Sequence, residues 1–590
     1  MTTTMTRPAA TLPPPQQPPL PPKRNPSAVK TVKRVLPSGL QLIILAVLVL
    51  LPVGFVLLAA FTTTSPGPGS LGDASFTFSN FKVLLTSSAL SAMLNSTLVG
   101  LGASIVALFI GSGMAFLAAR TNVPGRKLIY FFGIAPLFLP ALVGALAWAQ
   151  LGSPASGYIN VVARAVGIDE LVNIYSFGGL IFVLGIYYAP YTFLMVHSAL
   201  SLMNPDLEDA ASLHGAPLSK MLRTITFPLV MPAIVGSGIL VFALTVENFP
   251  VAQVIGVPGQ VDTLPTLIYR LMNASPSRQN AAAAIAVVLT ILLMIAVAVQ
   301  QRTVAKKQYT TVSGKGVRAR QVPLRSWRWP AAIAAWVYFG LAVLLPISAL
   351  LVTALQTSPY LSELSQLFES GALSFWSMGQ TLQDLEFWNV LKNSVIVGVV
   401  AALVGTALCF ALSYTRYRTN AWGRKALEYI AMMPLAIPAI VLGLGLLWTW
   451  LTLPVPVYGT LVVLIIACIA VFIPQGYRGV SSSIVQLDKD LEDSAIMLGA
   501  RRPKAISFVT VPLLRVGLSS TFLLLLMLSM RELTAVLFLF TTDTRLLSIA
   551  IFDAYDNGSF QQAAELSLLY IVVIGFLAVL ARRFGAKDVA

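Results

Sequence analysis

Long apolar runs separated by short polar segments form the dominant pattern of this chain from residue 41 onward. A helix that crosses a bilayer needs about 20 mostly apolar residues. Twelve runs meet that criterion: 41–62, 89–118, 128–150, 178–200, 227–256, 281–301, 329–354, 389–415, 427–451, 459–478, 512–540 and 563–582. Because lipid offers the backbone no hydrogen-bonding partner, each run is predicted to be a helix. The pattern predicts an all-α membrane protein of about twelve transmembrane helices, here called spans 1 to 12.

Residues 1–40 break this pattern, because they are rich in Pro, Thr and Gln. Such a composition cannot bury a core, so we expect a disordered cytoplasmic tail, although its proline clusters also leave a polyproline ligand open. Span 1 is too long for the core of a signal peptide and is predicted to be a retained anchor. The composition agrees with a membrane protein, since only 11% of the 590 residues are charged, against about 25% in soluble domains.

Basic residues mark alternate connections between the spans. They concentrate within 23–34, 120–127, 220–223, 306–328, 416–425, 489–504 and 582–587, whereas the connection at about 356–388 carries four acidic residues and no Lys or Arg. The positive-inside rule then places both termini in the cytoplasm. The net charge of +16 lies beside the spans, which favours anionic lipid headgroups over nucleic acid as its counterpart.

The two halves of the chain repeat each other. Asn95-Ser96, Pro136 and Pro140 recur, with an offset of 298, as Asn393-Ser394, Pro434 and Pro438. Because each repeat holds an even number of spans, the repeats are parallel, at 41–302 and 329–590, and a basic cytoplasmic linker at 303–328 joins them. The prolines interrupt spans 3 and 9, where a hinge or gate and a passive packing kink both remain open.

The connections after spans 4 and 10 carry a second repeat, with an offset of 284. Asp206-Leu207-Glu208-Asp209-Ala210-Ala211 and Gly215 recur as Asp490-Leu491-Glu492-Asp493-Ser494-Ala495 and Gly499. Asp206 and Asp490 suit a helix N-cap and the glycines suit a helix end, so each copy predicts a short helix on the cytoplasmic surface. Two such helices predict docking sites for a pair of soluble partners. The candidate docking residues are Glu208, Asp209, Ala210, Ala211, Gly215, Glu492, Asp493, Ser494, Ala495 and Gly499.

This pattern resembles the EAA motif of binding-protein-dependent ABC importer permeases, which reads E-A-A, three residues, Gly, nine residues and I-x-L-P. The first copy has Asp209-Ala210-Ala211, Gly215 and Ile225-Thr226-Phe227-Pro228, and the second has Asp493-Ser494-Ala495, Gly499 and Val509-Thr510-Val511-Pro512. The spacing matches, whereas Asp replaces Glu and Ser494 replaces Ala. The resemblance covers the chain from about residue 40 to its end. It is most similar to the fused, two-half permeases of iron(III) importers.

The resemblance implies a type I ABC importer permease in a bacterial inner membrane. A homodimer of a cytoplasmic ABC ATPase would dock on the two surface helices, and a periplasmic or lipid-anchored binding protein would deliver the solute. ATP would bind to the ATPase, and no catalytic, cofactor-binding or metal-binding residue is assigned to this chain. Accordingly, the chain has no G-x-x-x-x-G-K-[ST] phosphate loop: Lys315 follows Gly314, but Tyr309 occupies the position of the first Gly.

The resemblance also implies the solute, iron(III), with thiamine or a phosphonate compound as alternatives. From another class, an ion-coupled secondary transporter also commonly has paired six-helix repeats, but it needs no duplicated cytoplasmic docking helix. A membrane-embedded enzyme is a third class, for which the sequence shows no constellation of nucleophile, base and metal ligands.

Ionisable and phenolic residues in or near the apolar runs are candidates for the translocation path, because a charge in lipid is costly. Glu247 and Glu532 have nearly equivalent repeat positions, with an offset of 285. Arg531 and Glu532 are alternatively a structural pair or lie in water at the outer rim. Aromatic side chains more often pack between helices than bind a hard cation. The candidate path residues are Tyr187, Tyr188, Tyr191, Glu247, Arg531 and Glu532.

Overall fold

The computed structural model describes residues 38–69, 74–203, 206–305, 322–358, 360–361 and 363–586. Nearly all of the predicted tail and most of the predicted linker therefore lie outside the described residues. Within them, nine helices are long and apolar enough to cross a membrane: Ser38–Phe61, Ser87–Arg120, Phe177–Leu202, Ser219–Val246, Gln279–Thr303, Arg325–Leu355, Leu385–Arg418, Leu461–Gln486 and Phe560–Leu577. Three bent pairs raise the number to twelve, which confirms the predicted fold class.

The bent pairs are spans 3, 9 and 11. Span 3 consists of Arg126–Phe138 and Ala141–Gly152, bent by 95°, and span 9 of Arg424–Ala436 and Ala439–Thr452, bent by 113°. Pro140 and Pro438 are the residues before the second segment in each pair. Proline lacks the amide donor that a continuing helix requires, so the chain breaks there. Span 11 consists of Arg502–Leu513 and Arg515–Met530, bent by 74°, whereas its counterpart, span 5, is unbroken.

Spans 5 and 11 end earlier than hydropathy predicts. They were expected to reach residues 256 and 540, but their helices end at Val246 and Met530. The Asn248 side chain accepts the amide of Val251 at 2.9 Å, and Glu532 accepts the amide of Ala535 at 2.6 Å. Such side chains compete with the helix for backbone donors and stabilise a turn, while the sequence beyond remains apolar.

The duplicated Asn-Ser pair in spans 2 and 8 positions one short helix in each half. Ser96 accepts the amide of Leu264 at 2.8 Å, where the first outer helix, Leu264–Met272, begins. Ser394 does the same at 2.7 Å for Leu547 and the second outer helix, Leu547–Asp556. This equivalence explains the repeat that the sequence shows.

Spans 1 and 7 each pack on the other half of the molecule. The carbonyl of Pro52 in span 1 contacts Gly445 in span 9 so closely that a β-carbon there has no room. Phe339 in span 7 stacks on Phe132 in span 3, with ring centroids 4.3 Å apart. The two repeats are therefore interlocked rather than placed side by side.

Candidate functional site

Two short helices lie at one end of the bundle, here called the basic end, in the connections after spans 4 and 10. The first connecting helix is Asp206–Leu213 and the second is Asp490–Met497. Gly215 and Gly499 follow them with φ of +75° and +93°. Glycine reaches this left-handed region without steric cost. The amides of Ala216 and Ala500 bond back to the carbonyls of Ala211 and Ala495, at 3.0 and 3.1 Å, which ends each helix.

The start of the second connecting helix differs from the prediction. Its N-cap residue is Lys489, which makes no side-chain cap hydrogen bond, and Asp490 is the first helical residue. The amide of Asp490 is bound instead by Asp488 Oδ1 at 3.1 Å. The expectation of an Asp490 N-cap is therefore wrong, because Asp488 supplies the acceptor two residues earlier than expected. The residues immediately before Asp206 lie outside the described residues.

Glu208 attaches the first connecting helix to the membrane helices. Its carboxylate lies 2.8 Å from Arg120 Nη2 at the end of span 2, and the two side chains are only 3% and 1% exposed. Thr226, at the foot of span 5, donates a hydrogen bond of 2.7 Å to the same oxygen. Charge pairing and hydrogen bonding together offset the cost of burying the carboxylate. The helix is therefore fixed to two spans at once.

Glu492 attaches the second connecting helix through different donors. Thr510, the counterpart of Thr226, donates a hydrogen bond of 3.0 Å, and Tyr414 in span 8 donates a second one. Arg502 Nε is 3.7 Å away and half-exposed. The counterpart of Arg120 is Arg418, which donates instead to the carbonyls of Ile484 and Leu487. Two of the four predicted docking carboxylates, Glu208 and Glu492, thus turn inward.

The other predicted docking residues form the outer surface of the two helices. Asp209, Ala210 and Gly215 are exposed in the first, as are Asp493, Ser494 and Gly499 in the second, while Ala211 and Ala495 are half-buried. Sequence reasoning missed Leu213 and Met497, which occupy the same repeat position and are each 88% exposed. Their signal was a large apolar residue at the same repeat position in the last turn of both helices. Large exposed apolar side chains are typical of protein interaction sites.

A cavity of about 390 Å³ lies between the two halves. Five of the six candidate path residues line it: Tyr188, Tyr191, Glu247, Arg531 and Glu532. Tyr187 does not, because its buried ring packs against Gly144 in span 3, where it fills the space of a β-carbon. Tyr187 therefore packs between helices and does not line the cavity, contrary to the prediction.

The structure also shows how the two repeats align in this cavity. Glu247 and Arg531 both directly follow their helices, so they are equivalent at the offset of 284, and Asn248 matches Glu532. Glu247 and Glu532 are therefore one residue out of register, in agreement with their offset of 285 in the sequence. Tyr188 is likewise equivalent to Phe472, and Tyr191 to Gln475. Together with the two pairs above, four pairs of equivalent lining residues differ in chemical character. The lining of the cavity is thus asymmetric.

Arg531 and Glu532 make separate contacts rather than one structural pair. Arg531 Nη1 donates a hydrogen bond of 2.7 Å to the carbonyl of Leu137, in the broken span 3 of the other half. Glu532 accepts the amide of Ala535. A helix break leaves backbone carbonyls without intrahelical donors. The break in span 3 therefore leaves the carbonyl of Leu137 free to accept the hydrogen bond from Arg531.

At the end opposite the basic end, aromatic contacts join the two halves beyond the residues that line the cavity. Tyr269 of the first outer helix and Phe552 of the second have the same repeat position and lie 6.1 Å apart. Phe249 lies 5.7 Å from Phe552, and Tyr555 donates a hydrogen bond of 2.9 Å to the carbonyl of Val254. Towards the basic end the lining continues to Gln300, Gln301 and Arg478. Within the described part of the chain, no group of three or more His, Cys, Asp or Glu is placed to hold a metal ion.

Comparison with known proteins agrees with this duplicated architecture. A family described as "Binding-protein-dependent transport system inner membrane component" matches residues 107–308 and 394–586, about two thirds of the chain. The ferric transport system permease protein FbpB of Actinobacillus pleuropneumoniae is 27% identical over 78% of this chain and 66% of its own length. The putative ferric transport system permease protein FbpB 1 of Haemophilus influenzae is 27% identical over 74% and 68%. The chain thus spans about two thirds of the length of these relatives.

Similarity extends to other permeases. The putative 2-aminoethylphosphonate transport system permease protein PhnV of Salmonella typhimurium is 27% identical over 44% of this chain and 97% of its own length. A crystal structure of a bacterial ABC transporter involved in the import of alginate covers 48% of this chain and 99% of its own, with 18% identity and a TM-score of 0.36. A TM-score this low supports no inference.

Proposed function

The chain belongs to the family of inner membrane components of binding-protein-dependent transport systems, and from this premise we propose that it is the transmembrane permease of an ATP-driven ABC importer. The observation that carries the proposal is the matched pair of connecting helices. Each presents an exposed face of small and acidic residues that ends in a large apolar side chain, and each is fixed through a buried carboxylate to two spans. A homodimer of a cytoplasmic ATPase has two equivalent surfaces and therefore fits two such helices.

The carboxylate anchors would transmit movement of the ATPase to the bundle. A docked subunit that moves the first connecting helix would pull on Arg120 and Thr226, and hence on spans 2 and 5 together. The second would pull on Tyr414 and Thr510 in spans 8 and 11. Buried, hydrogen-bonded anchors resist slippage, because separating them leaves a charge without a partner.

The cavity between the halves is the proposed translocation path. The basic end is assigned to the cytoplasm by the positive-inside rule, so the aromatic contacts of Tyr269, Phe249 and Phe552 form the outer closure. An external binding protein would deliver the solute to this closure. Parting of the halves there would break the hydrogen bonds of Arg531 to Leu137 and of Tyr555 to Val254.

Iron(III) is the proposed solute, supported by the similarity to the FbpB proteins over most of this chain. A phosphonate compound is the second candidate, because PhnV is equally identical over one half. Uptake of radiolabelled iron(III), aminoethylphosphonate and thiamine by cells with and without the chain distinguishes these solutes. Uptake that needs no ATPase but stops with a proton ionophore would instead indicate an ion-coupled transporter.

The docking role is tested by changing Gly215→Asp together with Gly499→Asp. Both glycines are exposed with open space around the β-carbon position, so the new side chains would project into the proposed interface. We expect the bundle to insert normally while co-purification of the ATPase and transport are lost. The matched control is Gly167→Asp with Gly558→Asp, which alters two glycines of φ +85° and +77°, also in open space, outside the connecting helices. Normal ATPase binding by the Gly215 and Gly499 variant would contradict the proposal.

A further inference from the structure

An apolar groove of about 490 Å³ lies on the first half between spans 2, 4 and 5. Its lining includes Ser112, Gly113 and Phe116 of span 2, Leu200 of span 4, and Thr226 and Phe227 of span 5. No atom lies within 4 Å of a β-carbon position on Gly113. Phe227 is 55% exposed and Phe109 is 84% exposed. Because these helices cross the membrane, the groove opens towards lipid.

The second half has filled the corresponding space. The counterparts of Ser112, Gly113 and Phe116 are Phe410, Ala411 and Tyr414, and the larger side chains pack with the buried Ile484 and Leu514. Span 1 crosses at the same level, where Gln41 donates a hydrogen bond of 3.2 Å to the carbonyl of Ala411. The fold does not by itself require this groove, since the corresponding helices, together with span 1, leave no such space in the other repeat.

Basic side chains lie at the cytoplasmic end of this groove. Lys220 and Arg223 are exposed on the helical segment that leads into Thr226 and Phe227, and neither forms an ion pair with a described residue. The counterpart of Lys220 is Lys504, but that of Arg223 is Ser507. Each Lys or Arg near a membrane surface attracts anionic lipid headgroups. The matching segment of the second half has more basic residues, with Arg501 and Arg502 beside Lys504, but Arg502 donates a hydrogen bond of 3.1 Å to Tyr414 there. The first half is therefore the one that combines exposed cations with an open groove.

We propose that the groove binds one anionic phospholipid, with an acyl chain along Ser112, Gly113 and Phe116 and the phosphate at Arg223 and Lys220. The apolar lining matches the chain of the lipid, and the two cations match its headgroup. Thr226 connects the lipid to the first connecting helix, because it lines the groove and donates to Glu208. Lipid binding itself does not depend on the proposed importer function; only an effect on ATPase docking would.

The test uses the purified full chain in bilayer discs containing phosphatidylglycerol or phosphatidylcholine with a photoreactive group in the acyl chain. We expect phosphatidylglycerol to label peptides that contain residues 109–116 or 222–230. Arg223→Ser, which installs the residue of the other half, should lower that labelling about fivefold and leave phosphatidylcholine labelling unchanged, because one surface cation is lost. Equal labelling by the two lipids, unaffected by Arg223→Ser, would overturn the proposal by indicating bulk lipid only.

A second variant introduces into the first half the larger side chains that fill this space in the second half. Ser112→Phe with Gly113→Ala should abolish labelling of the groove by both lipids, while labelling at the lipid-exposed Phe576 in span 12 reports that the bundle is intact. The reciprocal Phe410→Ser should not create phosphatidylglycerol labelling near residue 410, since Tyr414 and span 1 still fill the space there. Undiminished groove labelling in the Ser112 and Gly113 variant would also contradict the proposed acyl-chain position.

Discussion

The two connecting helices have nearly the same sequence but different anchors. In the first, Glu208 is paired with Arg120 in a site almost without solvent, at 3% and 1% exposure. In the second, Glu492 accepts hydrogen bonds from Tyr414 and Thr510, and its nearest cation is half-exposed. The carboxylate and the threonine are retained in both halves. The third partner differs, which shows that the position of the anchor is maintained while its chemistry varies.

The two anchors differ because the arginine that ends the preceding span has a different partner in each half. Arg120 and Arg418 end spans 2 and 8 at equivalent positions. Arg120 turns to the carboxylate, whereas Arg418 donates to carbonyls at the end of span 10. In the second half Tyr414, one turn earlier, supplies the donor, where the first half has Phe116. A buried ion pair and a neutral hydroxyl network should therefore respond differently to mutation.

The largest expected effect is that of Arg120→Leu. Loss of the guanidinium leaves the Glu208 carboxylate buried without a charge partner, which destabilises by about 3–5 kcal/mol. We expect a large fall in the thermal unfolding midpoint in detergent. A thiol in an Ala210→Cys background should also become more reactive as the helix detaches.

Two variants control for this effect. Arg120→Leu with Glu208→Leu should recover much of the lost stability, because no unpaired charge remains. Arg418→Leu should cost less than Arg120→Leu, since it removes hydrogen bonds to carbonyls but isolates no carboxylate. If Arg120→Leu and Arg418→Leu lowered the unfolding midpoint equally, the buried ion pair would contribute no more to stability than the hydrogen bonds of Arg418.

An intermediate effect is expected for Tyr414→Phe. The change removes one hydrogen bond to the Glu492 carboxylate, and such bonds to charged groups contribute about 1.5–3 kcal/mol. Thr510 remains as a donor and Arg502 lies nearby, so the second connecting helix should loosen but stay in place. Amide hydrogen exchange of residues 490–497 measures this. Exchange as fast as that of residues 206–213 in the Arg120→Leu protein would contradict the ranking.

Local chemistry made much of this architecture predictable. Hydropathy gave the number of spans, because the requirement for about 20 apolar residues acts on each segment separately. Pro140 and Pro438 marked helix breaks, and Gly215 and Gly499 marked helix ends, since each effect depends on the residue itself. The pairing of Ser96 with Leu264, by contrast, appeared in the sequence only as a repeat with no stated cause.

Features that depend on distant partners were not predictable. The early ends of spans 5 and 11 are local, since Asn248 and Glu532 bind amides three residues on, but hydropathy alone does not show them because the sequence continues to be apolar. The burial of Glu208 requires Arg120, which hydropathy and spacing do not connect to it. The exchange of spans 1 and 7 between the halves likewise depends on contacts such as Phe132 with Phe339, which no local pattern shows.

A smaller effect, equal in the two halves, is expected for Gly215→Ala and Gly499→Ala measured separately. A β-carbon in the left-handed region costs about 1–2 kcal/mol, and open space around both positions adds no further clash. Each change should speed amide exchange in the last turn of its own helix by a similar factor. A clear difference between the two would mean that the helices differ at their ends as well as at their anchors.

The smallest effect is expected for Arg502→Met. Arg502 Nε is 3.7 Å from Glu492, and the arginine side chain is 51% exposed, so solvent screens the pair. Its hydrogen bonds to Tyr414 Oη and to the carbonyl of Arg418, at 3.1 and 2.7 Å, are made by the same half-exposed side chain, so water can replace it at both acceptors. Ion pairs of this kind contribute about 0–1 kcal/mol and weaken with salt. The unfolding midpoint should change little, and the change should shrink further in high salt, whereas that of Arg120→Leu should persist because its pair is buried. A loss comparable to that of Tyr414→Phe would instead make Arg502 the functional counterpart of Arg120, and the two anchors would then be ionic in both halves.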